Sequence, residues 1–301
     1  MDVPIDGLRV GHWTDEVART GVTVLLFPEG TVASGEVRGG APATREFEVL
    51  EPTRTVDRLD ALVLSGGSAF GLAAADGVVD HLADSGVGFP TGAGPVPIVV
   101  GLSLFDLLEG DDPAGPGACA GGAAAEAATM TSSGATVPVG RVGVGTGATV
   151  GKWRGRRHAR PGGFGVAVAR HAHLTVAALL AVNAAGDVGD PATAEAVADG
   201  TFAGWPEDLE LFGTSEGGGR GNTTIGAVVT DAALSKVDCR LLATSAHDGL
   251  ARAVFPAHAR SDGDAFAAAA TGKVPLAGEG DLDVLRVLAT AAVQRAIVRA
   301  C

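Results

Sequence analysis

A short segment of the chain places a hydroxyl at the point where a glycine-rich run meets a strand-like sequence. Thr223 and Thr224 follow "GGGRGN" and precede the β-branched segment "IGAVV". A threonine that begins a chain can act as a nucleophile, because its own α-amine activates its hydroxyl. Such an amine titrates near ~7.7 to 8 and can serve as a general base at neutral pH. Thr223 would gain this chemistry if the bond after Asn222 were cut.

The residues alone leave two interpretations of this segment open. The loop "SEGGGRG" is expected to be exposed and flexible, Asn222 offers a carbonyl for Thr223 to attack, and the strand would hold the nucleophile rigidly. The same letters also describe a hairpin turn that enters a strand, and composition favours that structural interpretation.

Other motifs in the chain lack a residue that their chemistry requires. A phosphate-binding loop fails in "GRVGVGTGATVGK", because Thr146 occupies its first glycine position and Trp153 follows the lysine. No acidic residue follows that run as a dinucleotide fingerprint requires. Phenylalanine replaces a glycine of the nucleophile elbow in "GGSAFG", so Ser68 is predicted to be a helix N-cap. His171 and His173 alternate as at a strand end, and no metal site is predicted.

The elements that must position any site are short strands and amphipathic helices. Strands are predicted in "GVTVLLFPEG", "DALVLSGG", "VPIVVGLSLFDL", "RVGVGTGATVG", "GFGVAVARH", "HLTVAALLAVNAAGD" and "TTIGAVVTDAAL". Helices are predicted in "SAFGLAAADGVVDHLADSG", "ALSKVDCRLLATSAHDGLARAV" and "DLDVLRVLATAAVQRAIVRA", and the last two should pack on a sheet. The main irregular segments are 109–122 and 203–222.

Composition indicates a globular protein with a large core. The 301 residues are 46% apolar and 19% charged, which favours one large α/β domain over two. A net charge of -13 argues against nucleic acid and anionic membranes as partners. Three cysteines without Cys-x-x-Cys spacing, and the lack of a signal or an apolar span in the sequence, predict a cytoplasmic protein.

Nine segments occur in an order that resembles one family. They are "VGHWTD", "RGGAPATRE", "LVLSGGSAFGLAAADGV", "VPIVVG", "GTGATVGK", "VNAAGDVGDP", "GNTTIGAVVTDAALSK", "AHDGLARA" and "SDGDAFAAAATGK". The chain is similar over nearly its whole length to the self-processing aminopeptidases and amidases. These include L-aminopeptidase D-Ala-esterase/amidase, the β-peptidyl aminopeptidases and the nylon-oligomer hydrolases.

The resemblance implies a fold and a processing event. The fold would be the αββα-type sandwich of N-terminal nucleophile hydrolases, formed by a single domain over 1–301. Cleavage between Asn222 and Thr223 would give a large chain, 1–222, and a small chain, 223–301, that stay associated. The family also implies a homo-oligomer of processed chains and a reaction that needs no cofactor or metal.

The resemblance also assigns roles to particular residues. Thr223 would be the nucleophile, and Asn183 in "VNAAGD" would donate to the oxyanion, although an asparagine there is also a common turn residue. Asp262 and Asp264 would orient the amine from one face of a strand, although Asp-Gly-Asp is also a routine loop. Lys152 matches a site lysine of the nylon-hydrolase branch, although such a lysine is usually solvated.

The function that follows is hydrolysis of amide bonds, with release of N-terminal residues from small peptides or peptide-like amides. The chain has no tyrosine, so Phe105 is predicted to stand where the family has a substrate-side tyrosine. Two rivals remain: an acyltransferase like ornithine acetyltransferase, which also cuts itself before a threonine, and an uncleaved non-catalytic scaffold.

Overall fold

The apolar runs form strands and the amphipathic segments form helices in a computed structural model that describes residues 1–111, 115–205, 221–278 and 280–301. The strands are β1 Arg9–Asp15, β2 Thr20–Leu26, β3 Val32–Val37, β4 Ala43–Arg45, β5 Ala61–Ser65, β6 Phe89–Thr91, β7 Gly94–Val96, β8 Val99–Ser103, β9 Thr149–Val150, β10 Arg160–Pro161, β11 Gly163–His171, β12 Leu174–Asn183, β13 Asp187–Val188, β14 Thr223–Ala232, β15 Val254–Phe255 and β16 Ala265–Val274. The helices are α1 Ser68–Gly71, α2 Ala74–Asp84, α3 Ala118–Met130, α4 Pro191–Ala198, α5 Lys236–Ala253 and α6 Gly280–Ala300. Short 3-10 turns lie at Phe47–Leu50, Gly143–Gly145 and Arg156–His158.

The longer strands assemble into two mixed sheets. Within the described residues, one five-stranded sheet has the order β1-β2-β5-β8-β4 and the other has the order β11-β12-β14-β16-β3. The pairs β5–β8 and β14–β16 are parallel, and each pair is joined through a helix, α2 in the first case and α5 in the second. A helical crossover is the connection that parallel neighbours require.

Each sheet buries both of its faces. Leu62 of β5 and Leu179 of β12 contribute to the apolar core between the sheets. Their neighbours Val63 and Leu180 lie on the opposite faces, where they join the clusters formed with α2 and α3 and with α5 and α6. Side chains in a strand alternate between faces, so every residue of β12 is buried when both faces are covered. The helix–sheet–sheet–helix order confirms the predicted αββα sandwich.

Small residues let the helices lie close to the sheets. A Cβ on Gly11 of β1 would lie 2.2 Å from the carbonyl oxygen of Ala124 in α3. A Cβ on Gly165 of β11 would lie 2.1 Å from the carbonyl oxygen of Ala296 in α6. The abundance of glycine and alanine therefore sets the spacing between layers.

Three local predictions were wrong. Ser68 is not the N-cap of its helix, because Gly67, at φ 82°, occupies that position and Ser68 is the first residue of α1. The predicted helix is also divided into α1 and α2. The segment "RVGVGTGATVG" forms a 3-10 turn at Gly143–Gly145 and the two-residue strand β9, since Gly143, at φ 54°, turns the backbone away from an extended path.

No helix in the described ranges is long and apolar enough to cross a membrane. Of the predicted loop "SEGGGRG", Gly221 is described and the residues before it, 215–220, lie outside the described ranges.

Candidate active site

Thr223 begins β14, a central strand of the second sheet, and is only 4% exposed. Its Oγ1 donates a hydrogen bond to the carbonyl oxygen of the preceding residue, Asn222. That oxygen also accepts a hydrogen bond from the backbone N–H of Gly263, at 2.9 Å. The hydroxyl and the carbonyl of the predicted cleavage point are therefore in contact, and the carbonyl is polarised by a second donor.

Strand pairing brings the other predicted residues to the same place. Asn183, the last residue of β12, is the direct antiparallel partner of Thr223. On the other side, Asn222 forms a parallel bridge with Asp262, just before β16 begins. The ends of three neighbouring strands thus meet at Thr223.

The Asn183 amide is fully buried and its orientation is determined by its partners. Its Oδ1 accepts from Lys152 Nζ at 2.8 Å and from the backbone N–H of Thr149 at 2.9 Å. Its Nδ2 donates to the carbonyl oxygens of Phe105, at 2.8 Å, and Gly221, at 3.1 Å. In the uncleaved chain the Asn183 amide, the predicted oxyanion donor, therefore contacts the carbonyl of Gly221, one residue before the scissile carbonyl of Asn222.

Lys152 is part of this hydrogen-bond network. In addition to Asn183 Oδ1, its Nζ donates to the backbone carbonyls of Asn183, at 3.2 Å, and Gly221, at 3.3 Å. Burial lowers the pKa of Lys152 to about 7, while the negative charges of Glu109 and Asp262 act in the opposite direction. The structure brings Lys152 into the site, whereas an isolated lysine is usually solvated.

The two aspartates lie before β16 and not within it, so the prediction that they share one face of a strand was wrong. Asp262 accepts backbone hydrogen bonds from Ala185, at 3.2 Å, and Ala259, at 2.9 Å. Asp264 accepts from the backbone N–H of Thr224 at 2.7 Å. Burial, followed by the negative charge of Asp264, raises the pKa of Asp262 well above its usual range. Because the two aspartates lie in a loop, Asp262 bonds the backbone at Ala185 and Ala259, whereas Asp264 bonds β14 at Thr224.

Phe105 borders the segment that precedes the cleavage point. A Cβ on Gly221 would lie 2.3 Å from a ring carbon of Phe105, so the glycine backbone rests directly on the ring. The ring lies on the acyl side of the Asn222–Thr223 bond, and a role of Phe105 in substrate binding stays a prediction.

Sequence analysis missed two groups that contact these residues. The contribution of Gly263 is its backbone N–H, and the sequence gives no signal for it because every residue except proline has such a group. His258, whose Nδ1 lies 2.9 Å from Asp264 Oδ2, lies six residues before its partner and outside the segments that resemble the family. The glycine pair Gly39 and Gly40 also supports the site, because a Cβ on Gly39 would lie 2.3 Å from the backbone nitrogen of Asp264.

Within the described part of the chain, no group of three or more His, Cys, Asp or Glu residues is arranged to hold a metal ion. The chemistry that the geometry offers is acyl transfer to a hydroxyl, with hydrogen-bond donors directed at a carbonyl and with two carboxylates nearby.

Comparisons with known proteins identify a family and relatives over nearly the whole chain. The family model described as peptidase family S58 matches residues 1–301. An uncharacterized aminopeptidase of Mycobacterium bovis is 43% identical over 300 residues, which cover 91% of this chain and 82% of that protein. A 6-aminohexanoate-oligomer endohydrolase of Paenarthrobacter ureafaciens is 28% identical over 285 residues, 90% of this chain and 74% of that protein.

Two solved structures share the fold. A β-aminopeptidase of Burkholderia sp. matches with a TM-score of 0.72 at 24% identity, covering 100% of this chain and 88% of that chain. The L-aminopeptidase D-Ala-esterase/amidase of Ochrobactrum anthropi, described as a variant of the Ntn hydrolase fold, matches with a TM-score of 0.68 at 20% identity. That match covers 98% of this chain and 84% of that chain.

Proposed function

We infer that this chain, which belongs to peptidase family S58, is an amide hydrolase that creates its catalytic residue by cutting its own backbone between Asn222 and Thr223. Membership of the family makes it a hydrolase, as predicted, so the scaffold interpretation is set aside. The observation that carries the proposal is the contact between the Thr223 hydroxyl and the Asn222 carbonyl at the buried start of a central strand.

Self-cleavage begins when Thr223 Oγ adds to the carbonyl carbon of Asn222. Negative charge develops on the carbonyl oxygen, where the N–H of Gly263 already donates a hydrogen bond. The C–N bond breaks as the nitrogen takes the proton that the Thr223 hydroxyl gives up, which leaves an ester on Oγ and a free amine on Thr223. Water then hydrolyses the ester, so that Asn222 ends one chain and Thr223 begins the other.

Sheet pairing supports continued association of the two products. Strand β14 belongs to the small chain and pairs with β12 of the large chain. Strand β16 also belongs to the small chain and pairs with β3 of the large chain. Cleavage at the start of β14 therefore leaves both ladders intact.

Turnover uses the same hydroxyl with the new amine as its base. The amine of Thr223 takes the hydroxyl proton as Oγ attacks a substrate amide, and returns it to the leaving nitrogen. Asn183 Nδ2 donates to the oxyanion once Gly221 has left its place, and Lys152 holds the amide in the required orientation. Asp262 and Asp264 hold the amine of Thr223 beside its hydroxyl. Water hydrolyses the acyl-enzyme.

The proposed substrates are small peptides or peptide-like amides, from which the enzyme releases N-terminal residues. Support comes from two relatives, one described as an uncharacterized aminopeptidase and the other as a 6-aminohexanoate-oligomer endohydrolase. The aromatic ring of Phe105 forms an apolar wall on the acyl side, with no phenolic hydroxyl, and so would favour apolar acyl groups.

The test is intact mass spectrometry under denaturing conditions of wild type, Thr223→Ala and Thr224→Val. Wild type should give chains of 222 and 79 residues, the whole being 301. Thr223→Ala should stay whole. Thr224→Val is the matched control, because the Thr224 hydroxyl is buried without a hydrogen-bond partner among the described residues, and it should process normally. A wild-type chain that stays whole, or a Thr223→Ala chain that is cut at this bond, contradicts the proposal.

The acyltransferase rival is tested with the processed enzyme. Hydrolysis of an amino-acid p-nitroanilide is followed with and without an added amine, and the acyl products are analysed. A hydrolase gives mainly free acid. Preferential formation of the new amide would replace the hydrolase by a transferase.

A further inference from the structure

The two aspartates of the site are held by different kinds of donor. Asp262 accepts from two backbone N–H groups, whereas Asp264 accepts from one backbone N–H and lies against one imidazole. Asp264 Oδ1 lies 2.7 Å from the nitrogen of Thr224, and Asp264 Oδ2 lies 2.9 Å from Nδ1 of His258. One carboxylate therefore connects His258 to the residue that follows the nucleophile.

His258 is placed in an unusual way. Its backbone is left-handed, at φ 56°, a conformation that costs free energy in a residue other than glycine and persists where the surroundings impose it. Its side chain is 19% exposed, and Nε2 is buried without a hydrogen-bond partner among the described residues. Among the described residues, the hydrogen bond between Nδ1 and Asp264 is therefore the polar contact that holds the ring in place.

The surroundings favour one arrangement of protons. The ring of His247, from α5, meets the His258 ring edge to face at 5.0 Å. Nε2 of His247 lies 2.9 Å from the carbonyl oxygen of Glu36 in β3, so this nitrogen carries a proton. Burial lowers the pKa of His247 to about 4, and its ring therefore stays neutral near pH 7. The carboxylate that lies directly against His258 is that of Asp264.

We propose that His258 is a positioning residue of the site: its Nδ1–H holds the Asp264 carboxylate against the backbone N–H of Thr224, and so determines where Thr223 lies. The inference rests on the proposed function and extends it. A carboxylate that bonds one backbone N–H at a strand's second residue constrains the first residue as well, because the peptide unit between them is planar.

The same bond has an electrostatic consequence. The carboxylate that His258 contacts is also the one whose charge acts on Asp262. Burial, followed by the negative charge of Asp264, raises the pKa of Asp262, while Lys152 acts in the opposite direction. The side-chain carboxylate of Glu36 is engaged by Thr244 and Arg38 and does not bond His258. Loss of the His258 contact would therefore change where the Asp264 carboxylate lies relative to Asp262, and with it the pKa of Asp262.

The first experiment determines which nitrogen of the His258 ring carries a proton, and it does not require an active enzyme. Nitrogen NMR of the histidine rings is recorded on uncleaved Thr223→Ala protein at neutral pH, with assignment by His258→Asn. The expected result is a neutral ring with its proton on Nδ1, or a doubly protonated ring, with a signal that moves in Asp264→Asn. A neutral ring with its proton on Nε2 overturns the inference.

The second experiment compares His258→Gly with His258→Asn in an otherwise wild-type chain. Glycine accepts the left-handed backbone and removes the donor, whereas asparagine tolerates that backbone and keeps an N–H near the position of Nδ1. We expect His258→Gly to slow self-cleavage at least tenfold, since a hydrogen bond to a charged group is worth about 1.5 kcal/mol or more, and to change its pH profile, because the Asp264 carboxylate beside Asp262 is no longer held. His258→Asn should restore most of the rate and return the profile.

A matched control uses a histidine–aspartate pair elsewhere. His173 lies 3.1 Å from Asp281 at an exposed position, so His173→Asn and His173→Gly should leave the cleavage rate and its pH profile unchanged. Unfolding temperatures are measured for every variant. The inference is overturned if folded His258→Gly keeps the wild-type profile, or if folded His258→Asn is as slow as His258→Gly. Failure of wild type to cleave would count against the proposed function, while the NMR result would still decide the His258 bond.

Discussion

Replacing Asn183 by alanine should separate the two reactions proposed for this site. In the uncleaved chain the scissile carbonyl of Asn222 accepts its backbone hydrogen bond from Gly263. The Asn183 amide instead donates to Phe105 and Gly221. Only after Gly221 has left its place can this amide serve the oxyanion of a substrate, so turnover should depend on Asn183 more strongly than self-cleavage does.

The expected magnitudes follow from the contacts. Loss of one oxyanion donor costs about 3 kcal/mol, which is a fall of roughly 10²-fold in kcat. The bonds with Phe105, Lys152 and Thr149 are lost in both reactions, whereas the loss specific to self-cleavage is the neutral hydrogen bond to Gly221, at 3.1 Å. Such a bond is worth about 1 kcal/mol, or roughly fivefold in rate. Asn183→Ala should therefore reduce turnover more than tenfold further than it reduces self-cleavage.

The assay follows both rates on one preparation. Self-cleavage is measured by the appearance of the small chain in denaturing mass spectrometry, and turnover of an amino-acid p-nitroanilide is expressed per mole of that chain. Thr224→Val serves as the control for a change at the same strand ends, and thermal unfolding shows whether Asn183→Ala is folded. Equal losses in the two rates, or turnover within fivefold of wild type, would refute the reasoning.

Three further substitutions test the surroundings of Thr223. In Gly263→Ala the new methyl would lie 2.9 Å from Thr223 Oγ1 and 2.8 Å from the Ala41 oxygen, so displacement of the hydroxyl should slow self-cleavage at least tenfold, as timed mass spectra would reveal. In Gly39→Ala the methyl would lie 2.3 Å from the Asp264 nitrogen, and urea unfolding should show a loss of about 1–3 kcal/mol in the free energy of unfolding. The control is Gly92→Ala, where the methyl would have nothing within 4 Å and the free energy of unfolding should change by less than about 0.5 kcal/mol. Equal effects of the two substitutions would contradict the packing argument. The raised pKa of Asp262 means that the folded state holds its proton more tightly than the unfolded state, so this group's contribution is lost as pH rises from ~4 towards neutrality. Asp262→Asn should remove that part of the decline in urea-unfolding free energy, and an unchanged slope would argue against the shift.

Local patterns in the sequence were sufficient for much of the fold. The β-branched run after Thr223 predicted β14, and helical spacing of apolar residues predicted α5 and α6. These predictions succeeded because periods of 2 and 3.6 residues report which face an element buries. Ser68 failed as an N-cap because the backbone N–H of Gly67 bonds the distant carboxylate of Asp106, at 2.7 Å, and glycine takes the positive φ at that turn.

For the candidate site too, one part could be predicted from the sequence and another part is visible only in the folded structure. The residue types needed for the chemistry, a threonine after a glycine-rich run, an asparagine at a strand end and an aspartate pair, were visible in the sequence, and the resemblance gathered them into one site. The tertiary structure decided the register that pairs Asn183 with Thr223 and the bond from Gly263 to the Asn222 carbonyl. It also decided the contact between His258 and Asp264. Periodicity specifies the face on which a side chain lies but not the partner opposite it, and a backbone N–H is common to every residue except proline, so only the folded chain shows which donors reach the reacting carbonyl.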